Sequence, residues 1–501
     1  MSTTHDPVQF WALVDPDRPA LRRAERAWTY GELNLAAQEM ADTLLLQGLG
    51  AGEHLSLEFE ARHSFEFAIA LHALHRIGLL PVPISLAHRP EERAALRASA
   101  MVELVLTSES LESARSARKP TRARGRASSR PEAPLNPSEE GLRSSRRLDQ
   151  PAALCFTSGT SGHPRGAILT HGNFFWSALA SARNLGVRAN DTWLCCLPLH
   201  HVAGLSILTR SAAYGTGVLF HDSFDPDAVN GAIDTGAATL LSLVPPMLER
   251  LLRARGGRLF PTTIRAALIG GGPIPVSLLE EAAELRLRAL PTYGLTETTS
   301  QVTTLTPREW PAGLTSAGRP LPFVRVRIGS HAGGTSHAEQ EGEILVRGPT
   351  VMAAYFEERE SNSEAWEGPW FKTGDIGAWD SAGRLVVLDR RVDRLIVGGE
   401  NVSPEELERV LLEHPSVAEV CVVGAPAGAW GHEVAAAVVP RSGREIALDE
   451  LRAFAGATLS PFKLPRRLLL VDSLPRTASG KLLRRMVRDL FRQEMAGEEP
   501  V

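Results

Sequence analysis

Cysteine is scarce in this 501-residue chain: Cys155, Cys195, Cys196 and Cys421 are the only four, none forms a CxxC pair, and two are adjacent inside an apolar run. That excludes a disulfide framework and the usual zinc-ligand spacings, and predicts reduced, buried thiols acting as small hydrophobes. No run of 18 apolar residues is present, and Met1 to Val14 lacks a charged stretch followed by an apolar core. Neither a membrane-spanning helix nor a secretory leader is expected, and a cytoplasmic location is. A net charge of only −4 gives no global field to gather nucleic acid or an anionic membrane surface. No internal repeat is visible. What the chain does have is length and 43% hydrophobic residues, enough for sizeable cores in more than one domain.

The texture along the chain predicts two units. Residues 1 to about 110 mix helical spacing (Tyr30 to Asp42) with a short buried strand (Leu79 to Ile84). From 113 to 147 the chain turns rich in Arg, Ser and Pro and poor in apolar residues, which predicts a solvated, flexible basic loop; it lacks the aromatics that would favour nucleic acid. Residues 151 to about 390 alternate apolar strands with helices, the pattern of a layered α/β domain. A smaller unit follows, opening on the capping box Ser403-Pro-Glu-Glu406. The expected division is 1–392 and 393–501.

The most informative segment is Thr157-Ser-Gly-Thr-Ser-Gly-His-Pro-Arg-Gly166, between an apolar strand and a helix opening near His171. It carries glycines Gly159, Gly162 and Gly166, and hydroxyls at Thr157, Ser158, Thr160 and Ser161, before the fixed charge of Arg165. Glycines allow close backbone approach, and amides with hydroxyls make a polar cradle suited to a polyphosphate. No Lys-Ser/Thr pair follows the second glycine, so this is not the GxxxxGK[ST] loop of P-loop NTPases. Downstream lie Gly270-Gly-Gly-Pro273, Tyr293-Gly-Leu-Thr-Glu-Thr298, Thr373-Gly-Asp375 and, near the end, Ser479-Gly-Lys481. Taken singly, each also reads as a turn or a surface charge.

Together these motifs resemble those of the adenylate-forming enzymes, the superfamily of acyl-CoA synthetases, luciferases and peptide-synthetase adenylation domains. The resemblance covers nearly the whole chain and is weakest before residue 150. It implies a large N-terminal domain of layered sheets and helices with a small, mobile α+β C-terminal cap. It implies ATP and Mg²⁺ bound by Thr157, Ser158, Gly159, Thr160, Ser161, Gly162 and Arg165, with Gly271, Gly272 and Pro273 against the purine. Tyr293 and Gly294 would pack on adenine, Thr296 touch the α-phosphate, and Glu297 hold the metal. Asp375 would take the ribose hydroxyls, with Arg391 (or Arg390, if the register slips by one) on the nucleotide. Asp393 would be the hinge, and Lys481 the adenylation lysine. His201 would lie on the substrate side, with Thr299 and Ser300 as further candidates there. The family loop usually ends Pro-Lys-Gly; here Arg165 replaces the lysine.

Within the superfamily, Trp176-Ser-Ala, Trp193-Leu-Cys-Cys-Leu-Pro-Leu199 and Gly398-Gly-Glu-Asn401 look nearest to the o-succinylbenzoate–CoA ligases of menaquinone biosynthesis. The implied reaction joins a small carboxylic acid to coenzyme A through an acyl-AMP. The alternatives are a CoA ligase for another acyl or aryl acid, a carrier-protein-loading acyl adenylase, and a nucleotide-binding regulatory protein. The sequence leaves homo-oligomerisation open.

Overall fold

The computed structural model describes residues 3–496 apart from 87, 89, 109–144, 158–163, 273, 330–340, 391–394, 398–399, 403, 427–431, 460 and 477–481. Short, largely apolar strands alternate with helices from Thr192 to Tyr293, and strands of that kind are stable only when covered on both faces. They form the parallel centre of a nine-stranded sheet. Its spatial order is Arg319–Pro320, Thr303–Thr304, Ala289–Tyr293, Ala266–Ile269, Leu240–Leu243, Thr192–Cys195, Gly217–Phe220, Pro19–Arg23 and Arg26–Thr29. The strands around Leu241, Leu268 and Leu290 pair in parallel, so Tyr293 and the glycines after Ile269 emerge at the same sheet end.

Two smaller sheets lie beside it. One is antiparallel, in the order Ala354–Tyr355, Arg165–Thr170, Pro151–Thr157. The other is parallel, with His54–Leu57 between Leu80–Pro83 and Val102–Leu106. Thr170 ends its strand and caps the helix His171–Leu185: its hydroxyl accepts from Asn173 N while Asn173 Oδ1 accepts from Thr170 N. This reciprocal box satisfies donors that a helix start would otherwise orphan. A further antiparallel sheet, built on the long strand Trp370–Trp379, carries Asp375.

The small C-terminal domain is built on Val417–Pro426, His432–Pro440 and Arg467–Leu470. Its period of two is explicit. Val420 and Val422 pack with Leu407 and Leu411 of the helix Pro404–Leu412, while Cys421 and Val423 face Val487 and Phe491 of the helix Arg484–Ala496. The expected boundary at 392/393 falls outside the described residues. All four cysteines are buried thiols outside any disulfide, as expected, and burial pushes the Cys155 and Cys196 thiols up to about 12. Among the described residues no helix is long and apolar enough to cross a membrane.

One expectation needs correcting. Residues 113–144 of the basic segment lie outside the described residues, but its last three, Ser145–Arg147, form a strand paired antiparallel with Thr3–His5. Arg146 is buried there, because its guanidinium donates to Asp6 Oδ2 at 2.6 Å. The same carboxylate takes Arg76 Nε at 2.8 Å, and its other oxygen caps the helix Pro7–Val14. A fully paired carboxylate makes burial of two arginines tolerable, which a composition argument does not foresee. Beside this cluster His75 bonds Ala152 O at 2.7 Å and meets the His171 ring edge-on at 4.7 Å. Burial, with the Arg146 charge adding to it, holds His171 at about 3; burial likewise holds His72 at about 3, against the pull of Asp6.

Candidate active site

The loop motif sits on a hairpin. Thr157 pairs with Arg165 across the strands, and its hydroxyl donates to Arg165 O at 3.3 Å. The tip, with Ser158, Gly159, Thr160, Ser161 and Gly162, lies outside the described residues. Arg165 turns its guanidinium over the ring of Tyr355, 4.4 Å from the centroid. Its Nε is buried with no acceptor among the described residues. At the edge of the same ring the Tyr355 hydroxyl donates to Glu297 Oε1 at 2.8 Å.

Glu297 stands on the single 3₁₀ turn Thr296–Thr298. Thr299 and Ser300 follow with φ of 54° and 82°, left-handed values unusual for side-chain-bearing residues. The strain is held from outside: Thr299 Oγ1 donates to Thr350 O, and Ser177 Oγ donates to Thr299 O, both at 2.8 Å. Thr299 is fully buried with its hydroxyl on Thr350 O, so in this structure it builds the turn. Gly294 is needed there, because a Cβ would meet Ser300 O at 1.5 Å. Gly271 has φ +82°, and a Cβ on Gly272 would have nothing within 4 Å, so the surface beside it is open to a flat ligand. Pro273 lies outside the described residues.

Tyr293 ends its strand with its hydroxyl on Asp375 Oδ2 at 2.7 Å, tying the adenine and ribose candidates together. Asp375 is buried, and its backbone pairs with that of Arg390. Arg391, Asp393 and Lys481 lie outside the described residues. His200 and His201 close the turn before the helix Val202–Tyr214, their rings 4.3 Å apart. Burial first, and neighbouring histidines second, push them down to about 3 and about 4, so both are neutral at pH 7. Each keeps a buried Nε2 with no partner among the described residues.

Two contributors escape a reading of the sequence: Tyr355, and Asn173, whose amide donates to Pro349 O and Val351 O at 2.8 Å. A signal exists for the first. The chain has four tyrosines, and two of them, Tyr293 and Tyr355, bond candidate-site carboxylates.

The profile of the family described as AMP-binding enzyme matches residues 8–356, and that of the AMP-binding enzyme C-terminal domain matches 406–481. The chain belongs to the AMP-binding enzyme family. Among AMP-binding enzymes it is 36% identical over 483 residues to a 2-succinylbenzoate–CoA ligase of Bacillus cereus, covering 96% of this chain and 98% of the relative. It is 37% identical over 491 residues to the enzyme of that name from Geobacillus kaustophilus, covering 98% and 99%. The fold matches o-succinylbenzoate CoA synthetase from Bacillus subtilis in complex with its acyl-adenylate intermediate, with a TM-score of 0.87, 34% identity, and 98% and 99% of the two chains covered. The same synthetase has been solved with ATP and a magnesium ion, at TM-score 0.86 and 33% identity over 97% of this chain and all of that one.

Proposed function

We propose that this chain is an ATP-dependent acid–CoA ligase that converts o-succinylbenzoate to o-succinylbenzoyl-CoA through an acyl-AMP. The observation that carries the reading is full-length likeness to ligases of that name, together with a fold that bonds Tyr293 to Asp375 and gathers Arg165 and Glu297 on the one side chain of Tyr355. In the first half-reaction a carboxylate oxygen of the acid attacks the α-phosphorus of ATP, and the bond to the β-phosphate breaks to release pyrophosphate. In the second a thiol sulfur attacks the activated carbonyl, the carbonyl–oxygen bond to AMP breaks, and the thiol proton passes to solvent.

The roles we assign rest on the resemblance of the motifs, supported where the residues are described by their placement. Tyr293 would stack on adenine with its hydroxyl fixed by Asp375, whose other oxygen would accept from the ribose. Arg165, the loop Thr157 to Gly162 and Thr296 would face the phosphates, and Lys481 would align the acid's carboxylate. Fixed charge at the transferring phosphate lowers the barrier without reorganisation during the step. The Glu297 carboxylate fits a magnesium ion: Oε1 is oriented by Tyr355, Oε2 has no partner among the described residues, and Mg²⁺ is normally held by one or two carboxylates plus nucleotide phosphates. Bound there, the ion would neutralise phosphate charge. His201, neutral and with an unsatisfied ring nitrogen, would offer a hydrogen bond to the acid, with Ser300 as the second candidate on that side.

We place the cap at 393–501, rotating about Asp393 between the two half-reactions, and the protein in the cytoplasm, in keeping with cysteines that form no disulfide. A pyrophosphate-release screen over small acids, with and without CoA, tests the reading. Release with o-succinylbenzoate alone and thioester on adding CoA are expected; release only with other acids would reassign the substrate.

A further inference from the structure

We infer that Tyr355 is a positioning residue whose single phenol sets both the Glu297 carboxylate and the Arg165 guanidinium, and that this is what lets an arginine work where the family loop usually carries lysine. The inference rests on the nucleotide-side reading of Glu297 and Arg165 given above.

Three observations converge on it. The hydroxyl fixes one oxygen of Glu297 and leaves the other to a ligand. The ring face seats a planar cation at 4.4 Å, a contact well matched to a delocalised guanidinium, whereas an ammonium is a compact, strongly hydrated point charge. The backbone, finally, gives this side chain no latitude. Tyr355 pairs with Ala167, Phe356 N donates to Gly166 O at 2.8 Å, and Met352 N donates to Glu297 O at 2.8 Å. One short segment is thus bonded to the strand leaving the phosphate loop and to the turn bearing the metal-side carboxylate.

The charges make sense of the arrangement. Arg165 has no carboxylate partner among the described residues, and its buried Nε has no acceptor there. A part-buried cation left so is costly unless an anion arrives. Glu297 is the opposite charge across the ring. If the two side chains met directly, each would cancel the other and neither would be presented to a phosphate or a metal. The phenol binds both and keeps them apart, the hydroxyl serving the anion and the π-face the cation.

The test measures ATP binding by calorimetry as a function of Mg²⁺, without acid or CoA, so that no turnover is needed. Tyr355→Phe keeps the ring and loses the hydroxyl. It should raise the Mg²⁺ half-saturation for ATP binding about tenfold, the size of a hydrogen bond to a charged group. Tyr355→Leu removes the seat as well. Arg165→Lys should weaken ATP binding about fivefold in the wild type and by less than about twofold in the Tyr355→Leu background. A Mg²⁺ half-saturation for Tyr355→Phe within about twofold of wild type overturns the inference, as does an equal effect of Arg165→Lys in both backgrounds. Should Tyr355→Leu not fold, the Tyr355→Phe measurement decides alone. Wild-type protein that binds no ATP overturns the nucleotide reading itself, whereas wild-type binding with an unaltered Tyr355→Phe overturns only the role of Tyr355.

Discussion

Acid should destabilise the large domain well above the pH at which its carboxylates titrate, and the reason lies in the cluster around Asp6. His72 and His171 are held at about 3 by burial, against an ordinary value of 6.5. In the unfolded chain they take up protons near 6.5; in the folded protein they stay neutral until about 3. The stability they confer is therefore complete above 6.5 and falls as the pH drops from 6.5 towards 3. Between about pH 6.5 and 5 each group costs about 2 kcal/mol, or about 4 kcal/mol for the pair, at roughly 1.36 kcal/mol per pH unit and group. That is a large share of a net stability of roughly 5–15 kcal/mol. Asp6 adds nothing in this window: its carboxyl, held well below the usual range by Arg146 and Arg76 despite its burial, contributes stability that is lost only at lower pH. Urea unfolding followed by tryptophan fluorescence at about pH 7.5 and about pH 5 measures the difference. His171→Phe keeps the edge-on contact with His75 while removing one titrating group, and should shrink the difference by about 2 kcal/mol. An unchanged difference in the variant would refute the reasoning.

Other substitutions probe the site directly. Lys481→Ala should abolish acyl-AMP formation yet leave thioester formation from supplied acyl-AMP within severalfold of wild type; undiminished adenylation would rule out the assigned role. Asp375→Asn retains an acceptor for the Tyr293 hydroxyl but removes the charge, so the KM for ATP should rise about tenfold with the KM for the acid unmoved, as steady-state kinetics would show. Gly294→Ala forces a methyl onto Ser300 O, and the turn bearing Glu297 must shift. A loss of about 3 kcal/mol or more in urea unfolding is expected, with ATP binding lost together with stability.

Much of this is legible in the sequence because the signals are local. The strands around Trp193, Leu241 and Leu268 are largely apolar runs, and the helix after Thr170 is marked by its place just beyond the last glycine of the loop. Tyr293 and Asp375 can be named from their motifs, but not the 2.7 Å bond between them, which joins residues 82 positions apart on two different sheets. Tyr355 escapes for the same reason: nothing in Met352-Ala-Ala-Tyr-Phe356 says that its neighbours are Ala167 and Glu297. Arg146 is misread by composition, which counts charges without knowing that Asp6 waits for them. Thr299 can be named from its motif, but not the bond of its hydroxyl to Thr350 O across the fold. Sequence reports what a residue can do; the partner across the fold decides which option is taken.

The four buried thiols give the protein an analytical property of its own. Its proposed reaction consumes a free thiol, and the usual way to watch that is a reagent that traps thiolates. Cys155, Cys195, Cys196 and Cys421 are all shielded, and burial keeps the sulfurs of the first three protonated in neutral buffer. Native enzyme should therefore be nearly silent to such a reagent, so CoA disappearance can be followed directly even at high protein concentration. The same silence is a clock for unfolding. Cys155, Cys195 and Cys196 lie in the large domain and Cys421 in the small one, so the order in which they become reactive would time the opening of each domain separately.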